Sequence, residues 1–350
     1  MYDHIADAMG EPDLIRVDDG LFCLRFETMK IVSALAAVRS LLDQGVIRPG
    51  DTLLDSSSGI YAYALALACH RYGLRCRIVG STTVDPTLRA QLAVLGARLD
   101  QMAPSDSLRL DQNRRVARIR EILAAHPEYH WMRQYHDRIH YQGYRAVADR
   151  IRRDLDTRDL TVVGGVGSGA STGALARYLR QHSPAVRLVG LQPFGSITFG
   201  AGHVADPDII IAGIGSSIPF DNVDHGSYDT IHWVGFEAAR TGSVDLLRRH
   251  AVFAGLSTGA AYLAARWERG HGGNGPVLFV AADTGHRYVE AVFARHEEVP
   301  DLAELAPRQV DALDDLGLPW SRMAWGRRPA PSEVTAGTYG ADPPGHRPAA

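Results

Sequence analysis

The chain has 350 residues, 45% of them apolar and 22% charged, with a formal net charge of −3. That length holds two domains or one large one, and the charge balance excludes the strongly basic surface that nucleic acid or an acidic membrane would select. Three cysteines, Cys23, Cys69 and Cys76, have no CxxC pair and no Cys/His ligand spacing, which excludes a disulfide framework and a zinc site. No apolar run reaches the roughly 18 residues of a membrane span, and the acidic start MYDHIADAMGEPD lacks the regions of a signal peptide, so a cytoplasmic location is expected.

In chain order, GLFCLRFE reads as a strand and KIVSALAAVRSLLDQG as a helix with apolar residues at three-to-four spacing. DTLLDSS is a strand, IYAYALALACHRYG a helix and LRCRIVGS a strand. DPTLRAQLAVLG reads as a helix opened by Asp85, followed by the short strand ARLDQM. Helices are expected over 106–126 and 141–154; in the first, Arg114, Arg115, Arg118 and Arg120 are assigned to a solvated face. The cycle resumes with DLTVVGGV, STGALARYLRQH and VRLVGLQP, and ends with TIHWVGF, VDLLRRHA, TGAAYLAARWERG and VLFVAAD. Strands alternating with helices read as βαβ units, hence an α/β protein with two open, twisted, mainly parallel sheets. The expected domains are 34–139, a smaller substrate-side unit, and 8–33 plus 140–325, a larger one. The Pro/Gly/Ala-rich tail 326–350 is expected to be disordered.

In such sheets ligands sit beyond the carboxyl ends of the strands. The loop Val166–Ser171, VGSGAS, has the small residues that let backbone N–H groups converge on an anion at a helix start. Gly167, Ser168, Gly169, Ala170 and Ser171 can cradle a phosphate or simply form a tight strand–helix turn. The loop Asp55–Ile60, DSSSGI, offers Ser57, Ser58 and Gly59 to a carboxylate, or a serine as a plain N-cap. GIGSSIP from Gly213, AGLSTGAA from Ala254 and AADTGHRY from Ala281 close further strand ends, the last with Thr284 able to bond a heteroatom over the sheet edge.

Lys30 is the only lysine among 37 Lys+Arg, so every other cation of that count is an arginine. It opens a helix in an apolar segment, where burial lowers a lysine's pKa and leaves the neutral amine that forms a Schiff base. Arginine can snorkel from a helix start equally well but cannot do that chemistry. A reactive amine, a phosphate cradle, a carboxylate loop and a hydroxyl for a ring nitrogen describe a pyridoxal-phosphate site.

Taken together, FETMKIVSA, SSSGI, GSGAS, GIGSSIP, GLSTGAA and DTGHRY resemble, in order over residues 8–296, the motifs of the fold-type II pyridoxal-phosphate enzymes of the cysteine synthase family. Their fold is the tryptophan synthase β-like one, with the cofactor in a cleft between the two sheets. YHWMRQYHDRIHYQGY, FGSITFG, GIGSSIPF and VFAGLSTGA are most similar to the siderophore-pathway branch that joins O-phospho-L-serine to L-glutamate on the way to 2,3-diaminopropionate. The resemblance implies pyridoxal 5′-phosphate as cofactor, no metal, amino-acid substrates and a homodimer. It implies a β-replacement: an activated serine (O-phospho-L-serine or O-acetyl-L-serine) loses its leaving group to give an aminoacrylate, to which an amine or thiol adds. Lys30 would hold the cofactor and abstract the α-proton. Ser57, Ser58, Gly59 and Gln134 would grip the substrate carboxylate, Gly167–Ser171 and Gly213 would hold the cofactor, and Thr284 would face its ring nitrogen. The sequence departs from the family where Ile60 replaces an Asn and Ile31 an Asp, and where the segment before Lys30 is short. Other readings in the same family are a cysteine or cystathionine synthase or a β-eliminating lyase; of another class, a weakly active cofactor-binding scaffold or regulator.

Overall fold

The computed structural model describes residues 1–82, 84–103, 108–206, 213–272, 275–331 and 334. The start of the expected 106–126 helix lies outside the described residues, as does most of the tail 326–350 expected to be disordered; its described beginning is ordered, with the Gly326 N–H bonded to the Asp229 carbonyl at 3.0 Å and the Arg327 N–H to the Tyr228 carbonyl at 2.8 Å. Among the described residues two compact units form: Met1–Glu11 with Thr28–Gly143, and Pro12–Glu27 with the residues from Tyr144 to 334.

With elements numbered along the whole chain, the first unit holds α1 (Ile5–Met9), α2 (Lys30–Asp43), β3 (Thr52–Ser56), α3 (Ile60–Tyr72), β4 (Arg75–Gly80), α4 (Pro86–Val94), β5 (Arg98–Gln101), α5 (Leu108–Ala125) and β6 (His130–Trp131). Its sheet has the order β5-β4-β3-β6, every pair parallel. All of β3 is buried, the pattern of a strand covered on both faces. Asp85 caps α4 by accepting a hydrogen bond from the Leu88 N–H, with Pro86 at the first helical turn, as the sequence predicted. Residues 28–33 pack in this unit, whereas the sequence reading had placed 8–33 with the larger domain. The cause is α2, which lies on α3 and on the 3-10 turn Arg138–Tyr141. At Gly143 an added Cβ would come within 2.2 Å of the Val32 carbonyl oxygen, so only glycine permits this approach.

The second unit holds β1 (Asp13–Asp18), β2 (Leu21–Arg25), α6 (Tyr144–Leu155), β7 (Thr161–Gly165), α7 (Ala170–Arg180), β8 (Arg187–Gln192), β9 (Thr230–Val234), α8 (Phe236–His250), α9 (Leu256–His271), β10 (Val277–Ala281), β11 (Arg308–Gln309) and β12 (Trp320–Ala324). Its eight-stranded sheet runs β1-β2-β10-β7-β8-β9-β12-β11. The central strands are parallel, as expected, and the β1–β2 and β9–β12 pairs are antiparallel. Val163, Val189, Leu191, Leu256, Phe279 and Trp320 contribute to its core. No helix among the described residues is long and apolar enough to cross a membrane.

A buried ionic cluster fastens β12 to this sheet. Glu268 on α9 accepts from Arg322 Nε at 2.7 Å, from His232 Nε2 at 3.2 Å and from Arg187 Nη2 at 3.3 Å. The Trp320 indole donates to His232 Nδ1 at 3.0 Å, which fixes the histidine as the neutral Nε2–H tautomer. Burial pushes the Glu268 carboxyl up, but the bonds from His232 and Arg322 outweigh it and bring it down to about 2. A depressed carboxyl adds stability above its ordinary range and loses it as pH falls toward the folded value. Glu268→Ala should therefore cost about 3–5 kcal/mol at pH 7, having stranded two arginines, and flatten the acid limb of stability between pH 4.5 and 2. Denaturant melts across that range check both effects.

Candidate active site

The first unit builds its part of the site around Asp55, at the end of β3. This carboxylate accepts from Ser56 N at 2.7 Å, Gln134 N at 3.0 Å and Trp131 Nε1 at 3.1 Å. Burial raises it to about 6 against those three donors. Gln134 returns a side-chain bond from Nε2 to the Ser56 carbonyl at 2.8 Å, so the serine loop and Gln134 are tied to one anchor. Arg133, just before Gln134, is buried with φ +48°, a left-handed conformation uncommon outside glycine.

Within the serine loop, Ser57 Oγ accepts from Ala62 N at 3.2 Å and Gly59 N at 3.3 Å, and Ser58 Oγ accepts from Ser81 N at 2.7 Å. The capping role and the carboxylate role are thus compatible, because the Ser57 hydroxyl proton is not spent on these bonds. Gly59 is the N-cap of α3, and its carbonyl accepts from the first-turn Ala62 N–H at 3.0 Å. Ile60 opens the helix with a hydrocarbon side chain.

Lys30 is the first residue of α2 and is 8% exposed. Burial alone brings its ammonium from 10.5 down to about 8. His140 donates Nε2–H to the Met132 carbonyl at 2.8 Å, and burial, reinforced by the charge of Lys30, holds it down to about 4, so it stays neutral. Since Lys30 titrates lower in the folded chain than in the unfolded one, its charge opposes folding below pH 8, and stability rises between pH 8 and about 10.5. The cofactor-free Lys30→Met variant should therefore be more stable than the wild type at pH 7 by on the order of 2 kcal/mol. The difference should vanish near pH 10.5, a comparison for denaturant melts at both pH values.

The arginine run of α5 is not uniformly solvated, which corrects the sequence reading. Arg114 and Arg120 are exposed and Arg118 is half-buried beside Asp100 and Glu121. Arg115 is only 8% exposed; its Nη1 donates to Ser56 Oγ at 3.0 Å and its guanidinium bonds Tyr135. No acidic partner accompanies it among the described residues, and its Nε has no acceptor. A buried cation without a carboxylate, against the serine loop, suits an anionic ligand. Its signal in the sequence was the spacing: Asp111, Arg115, Ile119 and Ile122 form one helical stripe whose last two members are core residues.

The second unit carries the glycine-serine loop. Gly169 caps α7 with φ +80°, and a Cβ there would lie 2.5 Å from the Asn222 carbonyl oxygen. At Gly167 a Cβ would lie 2.2 Å from the carbonyl oxygen of Gly213, whose own φ is +87°. The Val166 carbonyl accepts from Gln192 Nε2 at 2.6 Å and from Gly215 N at 2.8 Å, which clamps the two loops together. Ser168 and Ser171 are buried, and Ala170 and Ser171 begin the helix. The first-turn amides of α7 have no helical acceptor, Ala170 N donating instead to Ser168 Oγ at 3.4 Å, so N–H groups and a helix dipole meet at a wall of glycines that side chains would fill. Gly167, Ser168, Gly169, Ala170, Ser171 and Gly213 are thus brought together as the sequence predicted for an anion cradle.

Thr284 follows β10, half-buried, with Oγ1 2.9 Å from His286 Nδ1. Ser257, in the first turn of α9, was not singled out from the sequence. It is buried 4.0 Å from where a Cβ on Gly165 would stand, at the end of β7, and its hydroxyl has no partner among the described residues. The neighbouring Thr258 Oγ1 and Asp283 Oδ1 are also buried and unpartnered, as are Thr28 Oγ1, Tyr61 OH and His140 Nδ1 in the first unit. Such atoms cost about 1–3 kcal/mol each when left unmade, and they gather on the elements that carry the motif residues. This donor set, with an anion cradle and a lowered-pKa amine, fits pyridoxal phosphate.

Comparison with known proteins bears this out. Residues 22–283 match the family of pyridoxal-phosphate dependent enzymes, and the chain belongs to it. It is 30% identical over 311 residues to an N-(2-amino-2-carboxyethyl)-L-glutamate synthase of Ralstonia nicotianae, covering 83% of this chain and 89% of the relative. A synthase of the same name from Cupriavidus metallidurans is 30% identical over 75% of this chain and 80% of its own. Among solved structures, O-ureido-L-serine synthase superposes with a TM-score of 0.74 at 23% identity, over 87% of this chain and 98% of that one. The O-acetylserine dependent cystathionine β-synthase of Helicobacter pylori gives 0.75 at 21%, over 84% and 99%. The fold is that of the fold-type II enzymes, the cofactor is pyridoxal 5′-phosphate, and the protein is a β-replacement enzyme acting on an activated serine.

Proposed function

We propose that the protein condenses O-phospho-L-serine with an amine nucleophile to make an amino acid of the 2,3-diaminopropionate type. The observation that carries the choice of donor is Arg115, a buried guanidinium without an acidic partner that touches Ser56 of the serine loop and Tyr135. A phosphate ester is already anionic when it binds and stays so as its bond to Cβ breaks; an acetyl ester is neutral until it departs as acetate, so its binding gains nothing from the charge. The names of the Ralstonia and Cupriavidus relatives support the same product class.

When bound, pyridoxal phosphate supplies an electron sink that acidifies the α-hydrogen of an amino acid attached through its amine. The chain's own residues do the rest. Ser57, Ser58, Gly59 and Gln134 orient the α-carboxylate, so that Cα–H faces Lys30. The Lys30 amine removes that proton and later returns it to Cα; its burial keeps the free base accessible near neutral pH. Phosphate leaves Cβ toward Arg115 as the Cβ–O bond breaks, the second substrate's amine bonds Cβ in its place, and the proton that the amine loses departs with the phosphate as hydrogen phosphate. A hydroxyl serves the ring nitrogen. Thr284 was the expectation, but its hydroxyl is engaged with His286, and Ser257, uncommitted and beside Gly165, is the better placed of the two. A hydroxyl leaves that nitrogen unprotonated, which favours elimination at Cβ over transamination. Ile60 and Ile31 make the site more apolar than the family pattern.

Steady-state kinetics with both donors test the choice. Arg115→Gln should raise KM for O-phospho-L-serine at least tenfold and change that for O-acetyl-L-serine less than twofold. Wild-type preference for the acetyl ester, or equal losses with both donors, would overturn the phosphate reading.

A further inference from the structure

Asp111 sits one helical turn before Arg115 on the buried face of α5. It is 6% exposed, and its Oδ1 is buried without a hydrogen-bond partner among the described residues. An aspartate four residues ahead of an arginine is well placed to form an ion pair along a helix. These two side chains nevertheless make no ion pair with each other, for Arg115 is drawn to Ser56 and Tyr135. The face of α5 therefore presents a carboxylate and a guanidinium, separate and opposite in charge, with the guanidinium against the serine loop and the carboxylate one helical turn before it.

A buried, unpaired carboxylate is costly, and a cation is the partner that offsets that cost. On the proposed reaction, on which this inference rests, the donor cannot supply the cation. Its amine is attached to the cofactor and its carboxylate is held by Ser57, Ser58 and Gln134. We propose that Asp111 is the specificity-determining residue for the second substrate and recognises its ammonium group on entry, before that group gives up a proton to solvent and bonds Cβ as the amine, while Arg115, once the leaving group has gone, receives an acid group of the same molecule. The second substrate is then an amino acid that enters as a zwitterion. Hydrosulfide, an anion, is not selected by Asp111.

The test uses the holoenzyme and the nearly isosteric Asp111→Asn, with L-glutamate as the amine probe and hydrosulfide as the non-cationic one. The expected result is a KM for L-glutamate at least tenfold higher, with KM for O-phospho-L-serine and the hydrosulfide rate within twofold of wild type. An L-glutamate KM within twofold, or equal impairment with both nucleophiles, would overturn the assignment. Calorimetric titration of L-glutamate into the holoenzyme separates this idea from the reaction itself. If the wild type consumes no activated serine, the functional reading fails. The role of Asp111 then stands if binding weakens at least tenfold in Asp111→Asn, and falls if the two proteins bind alike or neither binds. Because removing an unpaired buried charge relieves strain in the fold, the variant should also melt no lower than wild type; a fall of several degrees would mark Asp111 as structural and overturn the proposal.

Discussion

The carboxylate of Asp55 is the contact on which the substrate side of this protein depends. It ends a fully buried strand, so its charge must be met from within, and it is met by two backbone amides and an indole. Those donors belong to Ser56 and, more than seventy residues further on, to Trp131 and Gln134, and one side chain brings the two segments together. Through Ser56 the anchor reaches Arg115, and through Gln134 it fixes the left-handed turn at Arg133. Substrate recognition here is therefore built from the end of a strand outward, with rigid backbone behind each polar group.

The second unit solves a different problem, an anion to be held without a positive side chain. It does so with backbone alone. Gly167 and Gly169 bring carbonyl oxygens of neighbouring loops so close that no side chain fits between. The buried network of Gln192, Ser196 and Ser216 then holds the loop partners in place, Ser196 Oγ donating to Gln192 at 2.7 Å and accepting from Ser216 N at 3.0 Å. In the proposed site helix amides, and not an ammonium, would meet the phosphate, and the one lysine would serve the amine chemistry.

Much of this was legible in the sequence, because glycine and serine loops at strand ends and a lone lysine are local signals. The ordered motifs fixed the family, and the periodicity located the central strands and helices. The antiparallel edge strand β1 and the strand β12, antiparallel to β9 and one place in from the other edge, escaped notice. Strand β1, DLIRVD, alternates polar and half-buried residues weakly, and β12 is held by the Glu268 cluster, whose members come from four separate elements. Arg115 and Asp111 escaped for another reason: charged residues on a helix read as wet unless they continue an apolar stripe, and here they do, ahead of Ile119 and Ile122. Ser257 lay inside a recognised motif, but only its uncommitted hydroxyl beside Gly165 separates it from Thr284.

The central claim is that Lys30 is the amine that carries the cofactor. The protein, saturated with pyridoxal phosphate and reduced with borohydride, can be cleaved after arginine and the peptides weighed. Cleavage at Arg25 and Arg39 releases FETMKIVSALAAVR, the only peptide that contains a lysine. The account predicts one phosphopyridoxyl group per chain, on that peptide. A protein that gains no mass, or gains it only at its amino terminus, would contradict it.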